Sequence, residues 1–390
     1  MAFIAEDESV KVTEIRGYHL NFKPVHPLGN ARTFMRSRDF LALQVVTDTG
    51  LSGWGEVFSS PWAAAAVVKH QLARLVLGQS PAQYSRLFNA MHATLGYDRR
   101  GPAMMAISAM DMALIDVAAR EREERVVDLL GGAVQERLFA YASGPFMREG
   151  ANPYAHYEQE VDTYLRQGFR AIKPRAGLSP HADGVMVNSM RRQVGPDVGL
   201  MVDVNQGYAS GAACMSAREM ADAGLLWIEE PVQPEDLPGY QAVARASATP
   251  VAGGEALGSL ASFRDFLAAG ALAIAQPDMT VCGGFTGFQR VAHLAAAYDV
   301  PVMPHVFSTA INFYAGLQAA ALLPTRRGGG SWPMPFVEWD PTGNPLMELF
   351  GFPLEADGMV SLPDGPGIGI DLRPEMLEPW TVDTWTLQAS

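Results

Sequence analysis

Short apolar runs recur along the second half of the chain, each followed by an amphipathic stretch with helical spacing. They are Leu138–Ser143, Phe169–Pro174, Gly199–Asn205, Leu225–Pro231, Pro250–Glu255, Leu272–Asp278, Pro301–Val306 and Met334–Asp340. Strand–helix units of about 25–30 residues imply right-handed parallel crossovers. Eight of them over about 200 residues fit a closed α/β barrel of the TIM type better than an open doubly wound sheet. No glycine-rich dinucleotide fingerprint follows any of these runs, which weighs against a Rossmann reading.

The first half has a different rhythm. Val10–Arg16, Phe40–Thr47 and Gly53–Phe58 read as strands, the last two joined by the turn-like Asp48-Thr49-Gly50. A polar segment, 18–38, lies between the first and second strands and is long enough to act as a lid. Helical patterns follow over 61–77, 81–96 and 102–121. The last carries Met105, Ile107, Met110, Ala113, Leu114 and Val117 at three- and four-residue spacings. The tail is rich in Pro and Gly and is expected to return onto the N-terminal region. The expected division is thus an α+β cap from 1–135 with 341–390, and a barrel over 136–340.

Composition narrows the functional classes. With 390 residues, 48% of them hydrophobic and 18% charged, a sizeable core is available. A net charge of −13 argues against a nucleic-acid partner, which needs a basic face. Cys214 and Cys282 cannot build a disulfide framework and lie in no CxxC pattern, which fits a reducing cytoplasm. The first ten residues lack the basic and apolar regions of a secretory signal, and alanine-rich stretches such as 62–68 fall short of a membrane span. No membrane partner is expected.

Chemistry in such barrels sits at the C-terminal ends of the strands. The runs end in Lys173 and Arg175, Asp203 and Asn205, Glu229 and Glu230, then Glu255, Asp278, His305 and Glu338. From Asp203 through Glu229, Glu255 and Asp278 to His305 the intervals are 26, 26, 23 and 27 residues, one unit each. These groups therefore converge on one rim. Three consecutive carboxylates, Asp203, Glu229 and Glu255, repel one another unless a cation neutralises them. An all-oxygen set points to Mg²⁺, with Mn²⁺ second, although strand-end acids also serve as helix caps. Asp278 beside His305 can fix the imidazole tautomer and raise its basicity, as a general base requires; a lone histidine would read as a core residue. Only four of the 29 basic residues are lysines, and Lys173 is the only one beyond Lys69. Its isolation at a strand end points to proton transfer or to clamping a carboxylate. Glu338, if protonated, can hydrogen-bond a developing enolate; it also reads as a surface glutamate. In the lid, His19, Asn21, Lys23, His26, Asn30 and Arg32 suit a hydroxylated anion.

Taken in order, these motifs resemble the mandelate racemase group of the enolase superfamily. Ile172-Lys173-Pro174-Arg175 is similar to its Lys-x-Lys motif on strand two. Val202-Asp203-Val204-Asn205, Ile228-Glu229-Glu230-Pro231 and Gly254-Glu255 resemble its three metal-ligand motifs, with Glu229 the ligand of its pair. Gln276-Pro277-Asp278 and Pro304-His305 resemble its Asp–His dyad, Glu338 falls at its electrophile position, and 106–116 is similar to a helix of its capping domain. The resemblance implies a modified (β/α)₇β barrel, a capping domain from both termini, Mg²⁺, proton abstraction α to a carboxylate, and a symmetric homo-oligomer.

The chain departs from that pattern at Arg175, where the family often has a second lysine. A guanidinium with a pKa above about 12 is a poor base, which puts two-base racemisation in doubt. No lysine lies between Val251 and Ser390, which disfavours the muconate-lactonising and dipeptide-epimerising branch. The expected activity is dehydration of an acid sugar to a 2-keto-3-deoxy acid. His305 would be the base and Lys173, Asn205, His26 and Arg32 would hold the substrate. Racemase or epimerase and sugar-lactone cycloisomerase are the alternatives within the superfamily. A non-catalytic Mg²⁺-binding barrel is the alternative from another class, but it has no need of the dyad or of Lys173.

Overall fold

The computed structural model describes residues 9–97, 99–327 and 332–389. Residues 1–8, most of the segment read above for a signal sequence, lie outside them. A four-stranded antiparallel sheet opens the chain, in the order Thr381–Gln388, Val12–Phe22, Arg38–Thr47, Ser52–Val57. Its outer strand comes from the tail, as expected. Gly17 pairs with Trp385, whose indole occupies the space a side chain at Gly17 would need.

The helix Gly101–Arg120 packs across this sheet at unusually close range. A Cβ on Gly55 would lie 1.9 Å from the carbonyl oxygen of Ala109, and one on Gly53 would lie 2.2 Å from that of Ala113. Glycine on the strand and alanine on the helix let the two backbones touch. By length and composition this helix could cross a membrane, yet 83% of its apolar stretch is buried inside the protein. An apolar surface on every side is what a central core helix requires. The expected helix over 61–77 is interrupted: Pro61–Val67 and Ala73–Val76 flank a π-helical turn at Val68–Leu72.

Seven of the eight expected barrel runs supply strand segments. Phe336–Trp339 pairs in parallel with Arg137–Ala142, which continues to Ala171–Ile172 and Gly199–Leu200. Val202–Asp203, Ile228–Glu229, Val251–Gly253 and Ile274–Ala275 carry the parallel order onward. The seventh run joins through the bridges Ala275–Val302 and Asp278–His305. Tyr141, Met201, Trp227, Ile274, Met303 and Phe336 fill part of the interior, so the barrel is a packed core rather than a pore. The tail also adds Met359–Ser361 antiparallel to the first barrel strand, a pairing that local sequence pattern does not announce.

Most barrel helices begin with their own cap: Ser179, Asp236, Ser259 and Thr309 each accept a backbone N–H of the following turn. Two receive carboxylates from the cap, and one of these, Gly284–Ala297, has no side-chain cap of its own. Asp111 accepts from the amide (2.9 Å) and hydroxyl (2.7 Å) of Thr286 at the start of Gly284–Ala297. Glu56 accepts from the Thr309 amide and hydroxyl and from the Asn312 amide, at the start of Ala310–Ala321.

Candidate active site

Every charged strand-end group expected at the rim is there, and nearly all are buried. Asp203, Glu229 and Glu255 each present an oxygen within 4.8 Å of the others. Each is met by a different cationic group. Arg175 Nη1 lies 3.0 Å from Asp203 Oδ2, Lys173 Nζ 2.6 Å from Glu229 Oε1, and His305 Nε2 3.0 Å from Glu255 Oε2. Three carboxylates side by side thus show the neutralisation that burial demands. Burial raises the Glu255 pKa to about 7; His305 opposes the rise, and the charges of Asp203 and Glu229 add to it. A divalent ion at this point would answer the same repulsion with two charges on one centre. The donor set, all oxygen, fits a hard cation.

Residues two apart on a strand share a face, and several supporting groups follow from that rule. Trp227 Nε1 (2.8 Å) and Gln276 Nε2 (2.7 Å) both donate to Glu229 Oε2, fixing the carboxylate from behind. Asn205 donates through its amide and its side chain to the two oxygens of Asp203, both at 2.8 Å. Ser143, at the end of the first strand, donates to Glu338 Oε1 at 2.5 Å and accepts from Arg175 Nη2 at 3.1 Å. Gln276 falls within the Gln276-Pro277-Asp278 motif, whereas Trp227 and Ser143 lie outside the chemical motifs of the sequence. Position at a strand end, or two residues before a ligand, is the signal that finds them.

The dyad is built as the sequence implies. Asp278 Oδ1 accepts from the amide (2.7 Å) and hydroxyl (2.6 Å) of Thr280, leaving Oδ2 for His305 Nδ1 at 2.6 Å. Nδ1 therefore carries a proton, and Nε2 faces the carboxylates. Burial alone would lower the His305 pKa, but Glu255, Glu338 and Asp278 together raise it to about 10. Glu255 is the strongest of the charges that raise it. Engagement of Glu255 by a cation would free Nε2 to accept a proton.

Glu338 differs from expectation. Burial would raise its pKa, yet Lys173 (2.9 Å), His305, Arg175 and the Ser143 hydroxyl bring it down to about 2. It is an ionised acceptor, also taking the Val306 amide at 3.0 Å, rather than a protonated donor. Burial works against the charge of Lys173, but Glu229 and Glu338 raise its pKa beyond that of a free lysine. Arg175 lies with its guanidinium carbon 4.4 Å from the centre of the Phe146 ring.

The lid residues divide. The first strand runs on to Phe22, so His19 and Asn21 belong to the sheet, not the lid. His19 stacks on Trp62 with ring centroids 3.8 Å apart, and Asn21 donates to Ser37 and Asp39. His19 pairs with Asp383 of the tail strand, more than 350 residues away, and Asn21 with Asp39 of the neighbouring strand. His26 is exposed in a cleft with Phe146, Arg148 and Tyr164, none of them a carboxylate ligand. Asn30 Oδ1 is spent on the amides of Arg32 and Thr33. Arg32 alone of these connects to the rim, donating to Gln206 Oε1. On the opposite side, a cleft of about 670 Å³ reaches Glu255 between Phe58, Ser59 and Met105 of the cap and Leu237, Leu257 and Val281 of the barrel.

Comparison with known proteins agrees with this geometry. Residues 15–131 match the family described as "Mandelate racemase / muconate lactonizing enzyme, N-terminal domain", and 156–376 match "Enolase C-terminal domain-like". The chain is 33% identical to D-galactarolactone cycloisomerase of Agrobacterium fabrum over 94% of its length and 98% of the relative's. It is 31% identical to L-rhamnonate dehydratase of Saccharopolyspora erythraea, covering 86% of this chain and 84% of the relative. Among solved structures, a racemase from Streptomyces coelicolor A3(2) with bound magnesium superposes with a TM-score of 0.84. That structure is 29% identical and covers 95% of this chain and 100% of its own.

Proposed function

The chain belongs to the mandelate racemase and muconate lactonizing enzyme family, and from that premise we propose that it breaks the C–H bond α to the carboxylate of a sugar acid. Expulsion of an oxygen from the neighbouring carbon follows. Asp203, Glu229 and Glu255 would hold Mg²⁺, with Mn²⁺ as a substitute. Bound there, the ion supplies Lewis-acid stabilisation of the charge that develops on the substrate carboxylate.

The protein's own groups carry the rest. His305 Nε2 takes the α-proton, and the Asp278 carboxylate stabilises the imidazolium so formed. The C–H electron pair moves into the enediolate and then forms the new double bond as the β C–O bond breaks. The same imidazolium returns its proton to the departing oxygen. Lys173 and Arg175 stay protonated and offset negative charge on the substrate end of the site.

One observation carries this reading: a single histidine has its tautomer locked by Asp278, while the facing cations are each paired with carboxylates, Lys173 with Glu229 and Glu338 and Arg175 with Asp203. One base favours elimination over inversion. Dehydration of an open-chain acid sugar is the leading form. Cycloisomerisation of a sugar lactone, with a ring oxygen as leaving group, is the second reading, favoured by the likeness to the Agrobacterium relative. A panel of mono- and diacid sugars and their lactones, offered to the Mg²⁺-loaded protein, separates the two. A 2-keto product lighter by one water supports dehydration, and a product of unchanged mass supports cycloisomerisation. Inversion at the α-carbon would replace both with racemisation. Mg²⁺ binding with no turnover and no α-proton exchange would leave a non-catalytic barrel.

A further inference from the structure

The segment between the first two cap strands is a small hairpin, Leu28–Gly29 paired with Phe34–Met35. It rests on the loops that follow the first three barrel strands. Gly29 exchanges both backbone hydrogen bonds with Met147, at 3.1 and 2.8 Å. The Ala31 methyl sits over two glycines: a Cβ on Gly177 would lie 2.7 Å from it, and one on Gly207 2.5 Å. Arg36 reaches Glu149 at 2.6 Å. The seat is shaped for this hairpin, and Arg32 adds a polar tie at its tip.

That tie continues inward. Arg32 Nη1 donates to Gln206 Oε1, and Gln206 Nε2 donates to Glu230 Oε2 at 2.8 Å. The Gln206 amide also donates to the Glu230 carbonyl at 2.7 Å. Asn205, Gln206 and Glu230 all have left-handed backbones, with φ of 46°, 62° and 42°. Non-glycine residues hold such φ values only where their surroundings over-determine them. The three lie directly after Asp203 and Glu229, and Asn205 holds both oxygens of Asp203. The bonds that fix these turns thus fix two of the three acidic ligands.

We propose that Gln206 is a positioning residue that couples seating of the hairpin to cation binding at the triad. A seated hairpin holds Gln206 through Arg32; Gln206 holds the two left-handed turns; the turns aim Asp203 and Glu229. Linkage requires the converse, so a bound cation steadies the hairpin by the same factor. This inference rests on the reading that the triad binds Mg²⁺.

The test uses the full chain with Mg²⁺ alone. Affinity is read by calorimetry, and hairpin seating by hydrogen exchange of the Gly29 and Met147 amides. Mg²⁺ is expected to slow that exchange in the wild type. Arg32→Ala and Gln206→Leu are each expected to weaken Mg²⁺ binding by about threefold to tenfold, with the double variant no worse than either alone. Gly207→Ala, which crowds Ala31 without touching the polar tie, is expected to act in the same direction, and Arg32→Lys to restore binding. Wild-type affinity in Arg32→Ala and Gln206→Leu, or hairpin exchange indifferent to Mg²⁺, overturns the coupling. Unchanged affinity in Asp203→Asn would instead remove the ion from the triad and overturn the functional reading beneath it.

Discussion

Two groups of buried carboxylates in this molecule are stabilised in opposite ways. On the barrel rim, Asp203, Glu229, Glu255 and Glu338 are met by Arg175, Lys173 and His305. On the seam between cap and barrel, Glu56 and Asp111 are hydrogen-bonded by amides and hydroxyls. Burial pushes both seam groups up to about 7, and their hydrogen bonds only partly offset it. Neutral donors suffice for a cap, whereas a crowded rim needs cations. Both kinds of site are made of ordinary acidic residues, and their partners tell them apart.

The sharpest break of this comparison is Asp203→Asn. Activity should fall below detection and Mg²⁺ affinity should drop steeply while the melting temperature stays close to wild type; a calorimetric titration beside a thermal scan checks both. His305→Asn should come next, losing on the order of 10²–10⁴ in turnover with Mg²⁺ affinity retained. Asp278→Asn should lower turnover less and move the acid limb of the pH–rate profile, because it removes a charge that raises the His305 pKa. In D₂O, a non-eliminating analogue should exchange its α-proton without inversion.

The seam should answer differently. Asp111→Ala strands a buried amide and hydroxyl of Thr286 and should cost about 1–3 kcal/mol of stability, read by urea unfolding. Turnover at saturating Mg²⁺ should remain near wild type. The same two groups also make stability depend on pH. Glu56 and Asp111 have folded pKa values of about 7, above the ordinary values near 4.5 and 3.8, so the folded state binds more protons between about pH 4 and 7. Their contribution is fully present below that window and is lost as pH rises through it, on the order of 1 kcal/mol per pH unit from each. Glu56→Gln and Asp111→Asn should flatten this slope in the Mg²⁺-loaded protein, as urea midpoints at several pH values would report.

The sequence was most legible where chemistry repeats. Asp203, Glu229, Glu255, Asp278 and His305 recur once per strand–helix unit, so their spacing alone gathers them on one rim. Gln276 and Ser143 hide because an amide and a hydroxyl carry no such rhythm. His19 and Asn21 misled because their polar side chains and the prolines just after them read as a loop, although both pair with Arg38–Thr47 and His19 pairs with the tail strand as well. The ionised state of Glu338 depends on Lys173, Arg175 and Ser143 arriving from two other strands, which no local pattern contains. Asp111 and Glu56 look like polar interruptions of a core helix and a strand until the barrel helices they cap are in place.

Those two caps have a consequence for how the molecule comes apart. The helices Gly284–Ala297 and Ala310–Ala321 depend on Asp111 and Glu56, side chains that the barrel sequence does not contain. Peeling the cap away would bare the first turns of both helices at the place where the Asp278–His305 pair is anchored. Melting of the cap is therefore expected to weaken the first turns of both helices, so that hydrogen exchange of the Thr286 and Asn312 amides should follow unfolding of the cap.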